Sequence, residues 1–193
     1  MKELVILPPF YYGAASYAVA GPEGTGIISI SSETLHLFAR DLFHNLLRIG
    51  FRNTHVFICH QSENFINGMP TDLAFKLGAR EAIFEYLEKT KGEGWWGKED
   101  MSNYYADRVK SRDPFSWIQI HPLRDPATRK EYPGDHAGKM ETGLMMAMYP
   151  EGADMKRFSK ENWYSRGAVD ASREFGNEVL DTILVHLRAC FKK

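Results

Sequence analysis

The stretch Val56-Phe57-Ile58-Cys59 is short and wholly apolar, and it is followed directly by the polar run His60-Gln61-Ser62-Glu63-Asn64. An apolar run of this length is typical of a strand that is buried on both faces. In open parallel sheets, the ligand crevice forms beyond the carboxyl ends of the strands. The stretch therefore predicts a buried strand, with His60 and Glu63 at the end where a ligand would bind.

Helical patterns lie on both sides of this strand. Apolar residues recur at three- and four-residue spacing from Leu35 to Ile49, with a capping hydroxyl near Ser31-Ser32-Glu33 and a terminating glycine at Gly50. A second helix starts at Pro70-Thr71-Asp72, and its apolar positions include Leu73, Leu77, Ile83, Phe84 and Leu87. The last helix, over about residues 168–191, carries an apolar stripe that covers one face of the sheet.

Three further strands are expected, at Glu3–Leu7, Ile27–Ile30 and Phe115–His121. In the last of these, Trp117, Gln119 and His121 share one face, while Ile118 and Ile120 share the other. Strands that alternate with helices predict an α/β fold with a mostly parallel sheet. A length of 193 residues with 44% apolar composition favours a single domain over residues 1–193.

Composition excludes several classes of protein. The net charge is -1 and the 24 basic residues are dispersed, so we expect no nucleic acid partner. No apolar run approaches the roughly 18 residues that a membrane span needs, and we expect no membrane partner. Cys59 and Cys190 are the only cysteines and no apolar leader begins the sequence, which favours a reducing cytoplasm.

A second polar motif, Gly134-Asp135-His136-Ala137-Gly138-Lys139-Met140-Glu141-Thr142-Gly143, precedes an apolar run. If a helix starts near Gly138, Glu141 lies in its first turn, where the helix dipole favours a carboxylate. Asp135 and His136 then lie over the same helix end. One His beside one Asp is common, so either an active site or simple helix capping explains the motif.

Two aromatic segments are candidates for contact with a substrate. The stretch from Phe10 to Gly26 is rich in Tyr and Gly and includes Tyr12 and Ser16, as expected of a loop that approaches a ligand. Trp95 and Trp96 lie in a long charged, glycine-rich insertion, where they plug the core edge, line a pocket or fill a subunit contact. The remaining histidines have no partner motif and are interpreted as structural; they are His36, His44, His55, His121 and His186.

Taken together, these segments resemble the creatininase (creatinine amidohydrolase) family. Pro8-Pro9 with Tyr12-Gly13 resembles the family's PP-x-x-YG loop, and Gly24-Thr25 before the strand at Ile27 resembles its PGT-I-S-L segment. Gly50-Phe51-Arg52 and the stretch to Asn64 resemble its GFR…V-V-N-G-H-G-G-N segment. Asp135 to Gly143 resembles D-x-HAGE-x-ETS.

The resemblance implies a three-layer α/β/α sandwich that commonly assembles as a hexamer, so we expect a homo-oligomer. It also implies hydrolysis of a small cyclic amide, or of a related C–N or ring C–C bond, at a site with two divalent metals (zinc, manganese or iron). His60 is implied as a metal ligand, with Glu63 as a second candidate. His136 is implied as the proton-transferring residue and Glu141 as a supporting carboxylate, with Tyr12, Ser16, Trp95, Trp96 and Asp135 as candidate substrate contacts.

The sequence departs from the family pattern in several places. Lys139 replaces the Glu of HAGE, Cys59 replaces the Gly before the ligand His, and Glu63 follows His60 by three residues rather than two. In the family, a Glu-x-His pair and an Asp ahead of the Pro-Pro loop supply most of the metal ligands, and no Glu-x-His occurs ahead of Pro8. Alternatives to a hydrolase are an inactive relative that serves assembly, and a protein that binds a small molecule without chemistry.

Overall fold

The computed structural model describes residues 4–14, 30–59 and 65–192. The helices and strands, in chain order, are α1 (Ser32–Ile49), β1 (Thr54–Ile58), α2 (Pro70–Lys91), α3 (Tyr104–Val109), β2 (Ile118–Pro122), α4 (Pro126–Glu131), α5 (Lys139–Met148) and α6 (Arg173–Cys190). Short 3-10 turns lie at Trp95–Gly97, Glu99–Met101, Pro114–Ser116, Pro150–Gly152, Met155–Arg157 and Arg166–Asp170.

Helix α1 begins and ends at the residues that its sequence predicts. Ser31 accepts a hydrogen bond from the Thr34 N–H through its side chain, at 3.2 Å, and caps the first turn. Gly50 ends the helix with φ of 117°, a left-handed conformation that glycine adopts without steric cost. Local capping chemistry and apolar spacing therefore define this element by themselves.

Strands β1 and β2 pair in parallel, with Thr54 opposite Ile118 and Ile58 opposite Pro122. Within the residues that the structure describes, these two strands make up the sheet. The Leu123 N–H donates to the Ile58 carbonyl at 2.9 Å and continues the ladder past the end of β2. The chain segments that follow β1 and β2 therefore leave the sheet at the same edge.

Helices cover both faces of this sheet, which gives three layers. On one face, Ile58 and Ile118 join the core formed by α1 and α2, with Val56 and Ile120 packed against it. On the other face, the rings of His55 and Phe57 lie 5.0 and 5.8 Å from the ring of Phe191, which follows α6. The expected α/β class is confirmed.

His121 faces α6 while Ile118 and Ile120 face the α1 and α2 core, as the alternation predicts. Trp117 is predicted on the His121 face, but it precedes β2 and packs against the same core as Ile118.

Helices α5 and α6 form a second apolar cluster on the α6 side of the sheet. Met140, Val179 and Ile183 are its buried members, and Leu123 packs against them. Because Leu123 directly follows β2, this cluster ties the start of α5 to the edge where β1 and β2 end.

The predicted strand at Glu3–Leu7 is wrong for residues 4–7, and Glu3 itself lies outside the described residues. Leu4 to Leu7 are not in a strand, and their side chains are 45 to 81% exposed. A strand needs a neighbour with which to exchange hydrogen bonds, and an apolar pattern alone cannot supply one. Of the strand predicted at Ile27–Ile30, only Ile30 lies in the described part, and it is not in a strand.

The apolar positions of α2 divide between core and surface: Ile83 and Leu87 are buried, whereas Leu73, Leu77 and Phe84 are exposed. The start of the last helix needs correction. Helix α6 begins at Arg173, after its N-cap Ser172, because Arg166–Asp170 forms a 3-10 turn instead. Within the described ranges, no helix combines the length and the apolar character that crossing a bilayer requires.

Candidate active site

The first turn of α5 is built around Asp135. Its two carboxylate oxygens accept hydrogen bonds from the backbone N–H groups of Met140, at 2.7 Å, and Glu141, at 3.2 Å. These donors belong to the helix start, where backbone N–H groups lack partners within the helix. Asp135 is therefore a capping residue, and its charge also suits the positive end of the helix dipole.

The side chain of Glu141 reaches back from the helix to the loop before it. Its Oε2 accepts a hydrogen bond from the Ala137 N–H at 2.8 Å, while the Thr142 hydroxyl donates to the Ala137 carbonyl at 3.0 Å. Ala137 has φ of 50°, so the loop bends sharply just before the helix. The two carboxylates and this bend hold the motif in one conformation.

Gly138 is required by this arrangement. A Cβ atom at Gly138 would lie 2.7 Å from Oδ2 of Asp135, closer than real Cβ contacts permit. Only glycine lets the Asp135 carboxylate fold back over the helix start. The Gly in the motif therefore has a steric explanation.

His136, between these capping residues, has an exposed side chain. Its ring lies edge-to-face with Trp163, with 6.3 Å between centroids, and Trp163 in turn contacts Tyr164. The Arg166–Asp170 turn packs against the start of α5, where a Cβ atom at Gly167 would lie 3.4 Å from the Lys139 nitrogen. Trp163 is a neighbour of the site that sequence reasoning missed, and no motif spacing in the sequence points to it.

Tyr12 lies near the start of α2. Its ring contacts Phe10 at 5.6 Å, and the nearby Ala14 N–H donates to the Thr71 hydroxyl at 3.0 Å. Helix α2 follows the loop after β1, so Tyr12 lies beside the helix that this loop enters. Three predicted site residues, Ser16, His60 and Glu63, lie outside the described residues.

Trp95 and Trp96 are not brought together with His136. Trp95 is 1% exposed and packs against Phe84, Tyr104 and Phe115. Phe115 precedes β2, so Trp95 lies near the amino end of that strand, whereas the motif follows its carboxyl end. Of the alternatives left open for this pair, Trp95 fills the core edge, and Trp96, at 40% exposed, lies on the surface.

A chain of polar side chains lies between the sheet and α6. Nδ1 of His55 lies 2.9 Å from Nε2 of His121, and Nδ1 of His121 lies 3.7 Å from Sγ of Cys190. Burial lowers the pKa of His55. Nε2 of His186 donates to the Pro122 carbonyl at 3.0 Å, which fastens α6 to the end of β2. These contacts agree with the structural interpretation of the histidines.

This cluster does not fit a metal. Both ring nitrogens of His186 lie 3.9 Å from Sγ of Cys190, so neither nitrogen points at the sulfur. Nδ1 of His186 also lies 4.0 Å from Oδ2 of Asp125. Across residues 4–14, 30–59 and 65–192, no three His, Cys, Asp or Glu side chains converge as metal ligands. The described residues therefore do not form a metal centre by themselves.

Comparison with protein families gives a match over most of the chain: the model described as "Creatininase: Creatinine amidohydrolase" matches residues 1–187. A comparison with curated proteins gave no significant match. Among solved structures, a mutant creatininase complexed with creatine aligns at 20% identity with a TM-score of 0.57, over 94% of this chain and 72% of its own length.

The descriptions of two other solved structures name a metal. A mutant creatininase of "Zn-Zn type" aligns at 20% identity with a TM-score of 0.54, and a structure described as "Creatininase Mn" aligns at 21% identity with a TM-score of 0.54. Each covers 91% of this chain, and the chain covers 69% of each. At these identities the alignments show a common fold.

Proposed function

Since the chain belongs to the creatininase family, we propose that it is a metal-dependent hydrolase that opens a small cyclic amide, or a related ring, through activated water. The observation that carries the proposal is the parallel register of Ile58 with Pro122. Because the two strands are parallel in this register, the segment that contains His60 and the loop that leads to His136 begin at the same edge of the sheet. Such an edge is where α/β folds bind ligands.

The metal is proposed to bind at this edge, with His60 and Glu63 as its candidate ligands. Imidazole and carboxylate groups suit zinc and manganese, the metals in the descriptions of two similar structures. A bound divalent ion would polarise the scissile carbonyl and activate the attacking water. Two ions per site, and the choice among zinc, manganese and iron, belong to the proposal.

His136 is the proposed proton carrier. Its ring is exposed, so it can meet a substrate, and Trp163 at its edge limits the orientations that the ring can adopt. In the reaction, water adds to the amide carbonyl, the ring C–N bond breaks, and the proton lost by water passes through His136 to the leaving nitrogen. The reaction consumes only water and the amide, and it needs no oxidant or reductant.

Asp135 and Glu141 are proposed as positioning residues. Asp135 accepts hydrogen bonds from the Met140 and Glu141 N–H groups, and Glu141 accepts one from the Ala137 N–H, so the backbone that directly follows His136 is fixed. A fixed imidazole loses little entropy when it enters the transition state. Glu141 uses Oε2 in this role, which is compatible with the supporting carboxylate expected from the resemblance.

A second candidate function is that of an inactive family member that serves assembly or small-molecule binding. It is favoured by one observation: both carboxylates of the motif are engaged in capping the start of α5. This candidate predicts a folded protein without hydrolytic activity under any metal condition.

One experiment separates the two candidates. The chain is stripped with chelator, reloaded with zinc or manganese, and assayed against a panel of five- and six-membered cyclic amides by following ring opening. Activity that requires metal and falls in both His60→Ala and His136→Ala supports the hydrolase. A folded, metal-reloaded protein with no turnover of any amide supports the inactive member.

A further inference from the structure

Near the amino end of β2, the surface opens into a groove of about 800 Å³. This volume lies in the range of roughly 300–1,000 Å³ that is usual for sites that bind small molecules. We call it the aromatic groove, because most of its walls are aromatic side chains; they are Phe84, Trp95, Trp96, Tyr104, Tyr105 and Phe115. The His136 motif follows the carboxyl end of β2, so the groove and the proposed metal site lie at opposite ends of this strand.

The rings of the aromatic groove pack against one another around Trp95. The ring of Trp95 lies edge-to-face with those of Tyr104, at 5.2 Å, Trp96, at 5.5 Å, and Phe84, at 6.2 Å. Trp95 is buried, whereas Trp96 and Tyr105 are exposed. A fixed ring at the base with exposed rings beside it suits a flat ligand that can stack on them or meet them edge-on.

Two guanidinium groups of the groove have donors to spare. The Arg80 guanidinium lies 4.8 Å from the centre of the Phe115 ring, and Nη1 of Arg108 donates to the Tyr104 hydroxyl at 3.4 Å. Within the part of the chain that the structure describes, neither guanidinium forms an ion pair with a carboxylate. A guanidinium has five N–H donors, and its planar shape matches the two oxygens of a carboxylate. The groove therefore has positive charge that a carboxylate ligand could use.

The indole of Trp95 adds a further donor. Its Nε1 is buried and has no hydrogen-bond partner within residues 4–14, 30–59 and 65–192. An indole N–H can only donate, and leaving such a group buried without an acceptor is costly. Because Trp95 lines the groove, an acceptor atom of a bound molecule could supply the missing partner.

The acidic residues of the groove are less suited to a ligand. Oε2 of Glu81 accepts a hydrogen bond from Nε2 of His36 at 2.6 Å, so this oxygen is already used. Glu85 is exposed to water. A cationic ligand would find Glu85 in water and would be repelled by Arg80 and Arg108, while a neutral one would leave both guanidinium groups unused. The charges therefore favour an anion.

We propose that the aromatic groove binds a small aromatic carboxylate of two or three rings. The ligand rings lie against Trp96 and Tyr105, and the carboxylate accepts hydrogen bonds from Arg108. The site needs no metal and uses no residue of the His136 motif, so it is independent of the proposed hydrolase. It assigns a binding role to the segment between α2 and β2, which supplies most of the aromatic walls.

Isothermal titration calorimetry with three naphthalene probes tests this site. The probes are 2-naphthoate, the neutral 2-naphthamide and the cationic 2-naphthylmethylammonium, which share their rings and differ in charge. The naphthoate should bind about tenfold more tightly than either of the others, because only its carboxylate can form charge-assisted hydrogen bonds with guanidinium. Chelator should leave this affinity unchanged.

Four variants locate the binding site. Arg108→Gln should weaken naphthoate binding about tenfold, to the level of the amide, and Trp96→Ala should weaken both probes. Both side chains are exposed, so the substitutions should leave the fold intact, which thermal melting checks. Arg188→Gln on α6 and Trp163→Ala beside His136 are the matched controls at exposed positions, and they should bind like the wild type.

NMR of the indole N–H groups provides a second measurement, in which naphthoate should shift the Trp95 signal. Tighter binding of naphthoate, its loss in Arg108→Gln and this shift support the site. Naphthoate that does not bind at about 1 mM, or that binds no better than the amide, overturns the proposal. Binding that persists in Arg108→Gln and Trp96→Ala but is lost in Trp163→Ala also overturns it, because the ligand then lies beside His136.

Discussion

Gly143 and Gly176 lie where α5 crosses α6. A Cβ atom at Gly176 would lie 1.9 Å from the Gly143 carbonyl oxygen, and one at Gly143 would lie 3.2 Å from the Phe175 ring. The two helices therefore approach backbone to backbone. Since α5 starts at the His136 motif, this crossing sets where the motif lies relative to α6 and the sheet.

Replacing Gly176 with Ala should destabilise the protein by about 2 kcal/mol or more, because the clash is with backbone that cannot move aside cheaply. Urea unfolding followed by circular dichroism measures the effect. Gly97→Ala is the control, since a Cβ atom there meets nothing within 4 Å, and its stability should change by less than about 0.5 kcal/mol. Equal stability of the two variants would show that the helices do not cross at this point.

Asp135→Ala should cost about 1–2 kcal/mol, because the first turn of α5 loses the acceptor for the Met140 and Glu141 N–H groups. Asp135→Asn keeps one acceptor oxygen and should lose less. Thermal melting of both variants beside the wild type gives the comparison. A melting temperature of Asp135→Ala equal to that of the wild type would mean that the carboxylate does not cap this helix.

His136→Ala should leave stability almost unchanged, because the imidazole is exposed. Turnover of the cyclic amide should fall about 100-fold or more, as expected when a proton-transferring residue is removed. Steady-state kinetics of the metal-loaded variant, with its melting curve, checks both parts. Full activity in this variant would remove His136 from the mechanism.

Acid should weaken the protein below about pH 6.5 through His55, because burial holds its pKa in the folded protein below the value of about 6.5 expected when unfolded. The folded state keeps His55 neutral, so its contribution is fully present above that unfolded pKa. The contribution is lost as the pH falls through the folded pKa, because the unfolded state then binds the extra proton.

The free energy of unfolding, measured from pH 7.5 to pH 5, should therefore fall more steeply in the wild type than in His55→Gln. The pKa of Asp125 is lowered too, chiefly by the Thr128 backbone N–H, but the stability that it contributes is lost only below about pH 4. Identical slopes in wild type and His55→Gln would contradict the prediction.

The parts of the fold that depend on local chemistry could be predicted from the sequence. Ser31 and Gly50 delimit α1 because a hydroxyl cap and a left-handed glycine act on their own helix. The position of Glu141 in the first turn of α5 follows in the same way from Gly138. These interactions join residues a few positions apart, so the sequence contains all that they need.

The parts that depend on distant partners could not be predicted. The apolar spacing of α2 does not indicate which of its apolar residues are buried: Ile83 and Leu87 lie in the core, whereas Leu73 and Leu77 are exposed. Leu4 to Leu7 have the composition of a strand, but pairing depends on which other strands are adjacent. The contact of His136 with Trp163 joins segments with no shared motif, so nothing in the spacing indicates it.

The segment after β1 and the loop after β2 are proposed to serve one metal site. Mn²⁺ titrated into chelator-treated protein with labelled histidines tests it, because a bound paramagnetic ion broadens the NMR signals of nearby rings. We expect strong broadening of the His136 ring signal, little effect on His44 of α1, and loss of the broadening in His60→Ala. A His136 signal that is not broadened in the wild type would contradict the shared metal site. Broadening that persists unchanged in His60→Ala would contradict it as well.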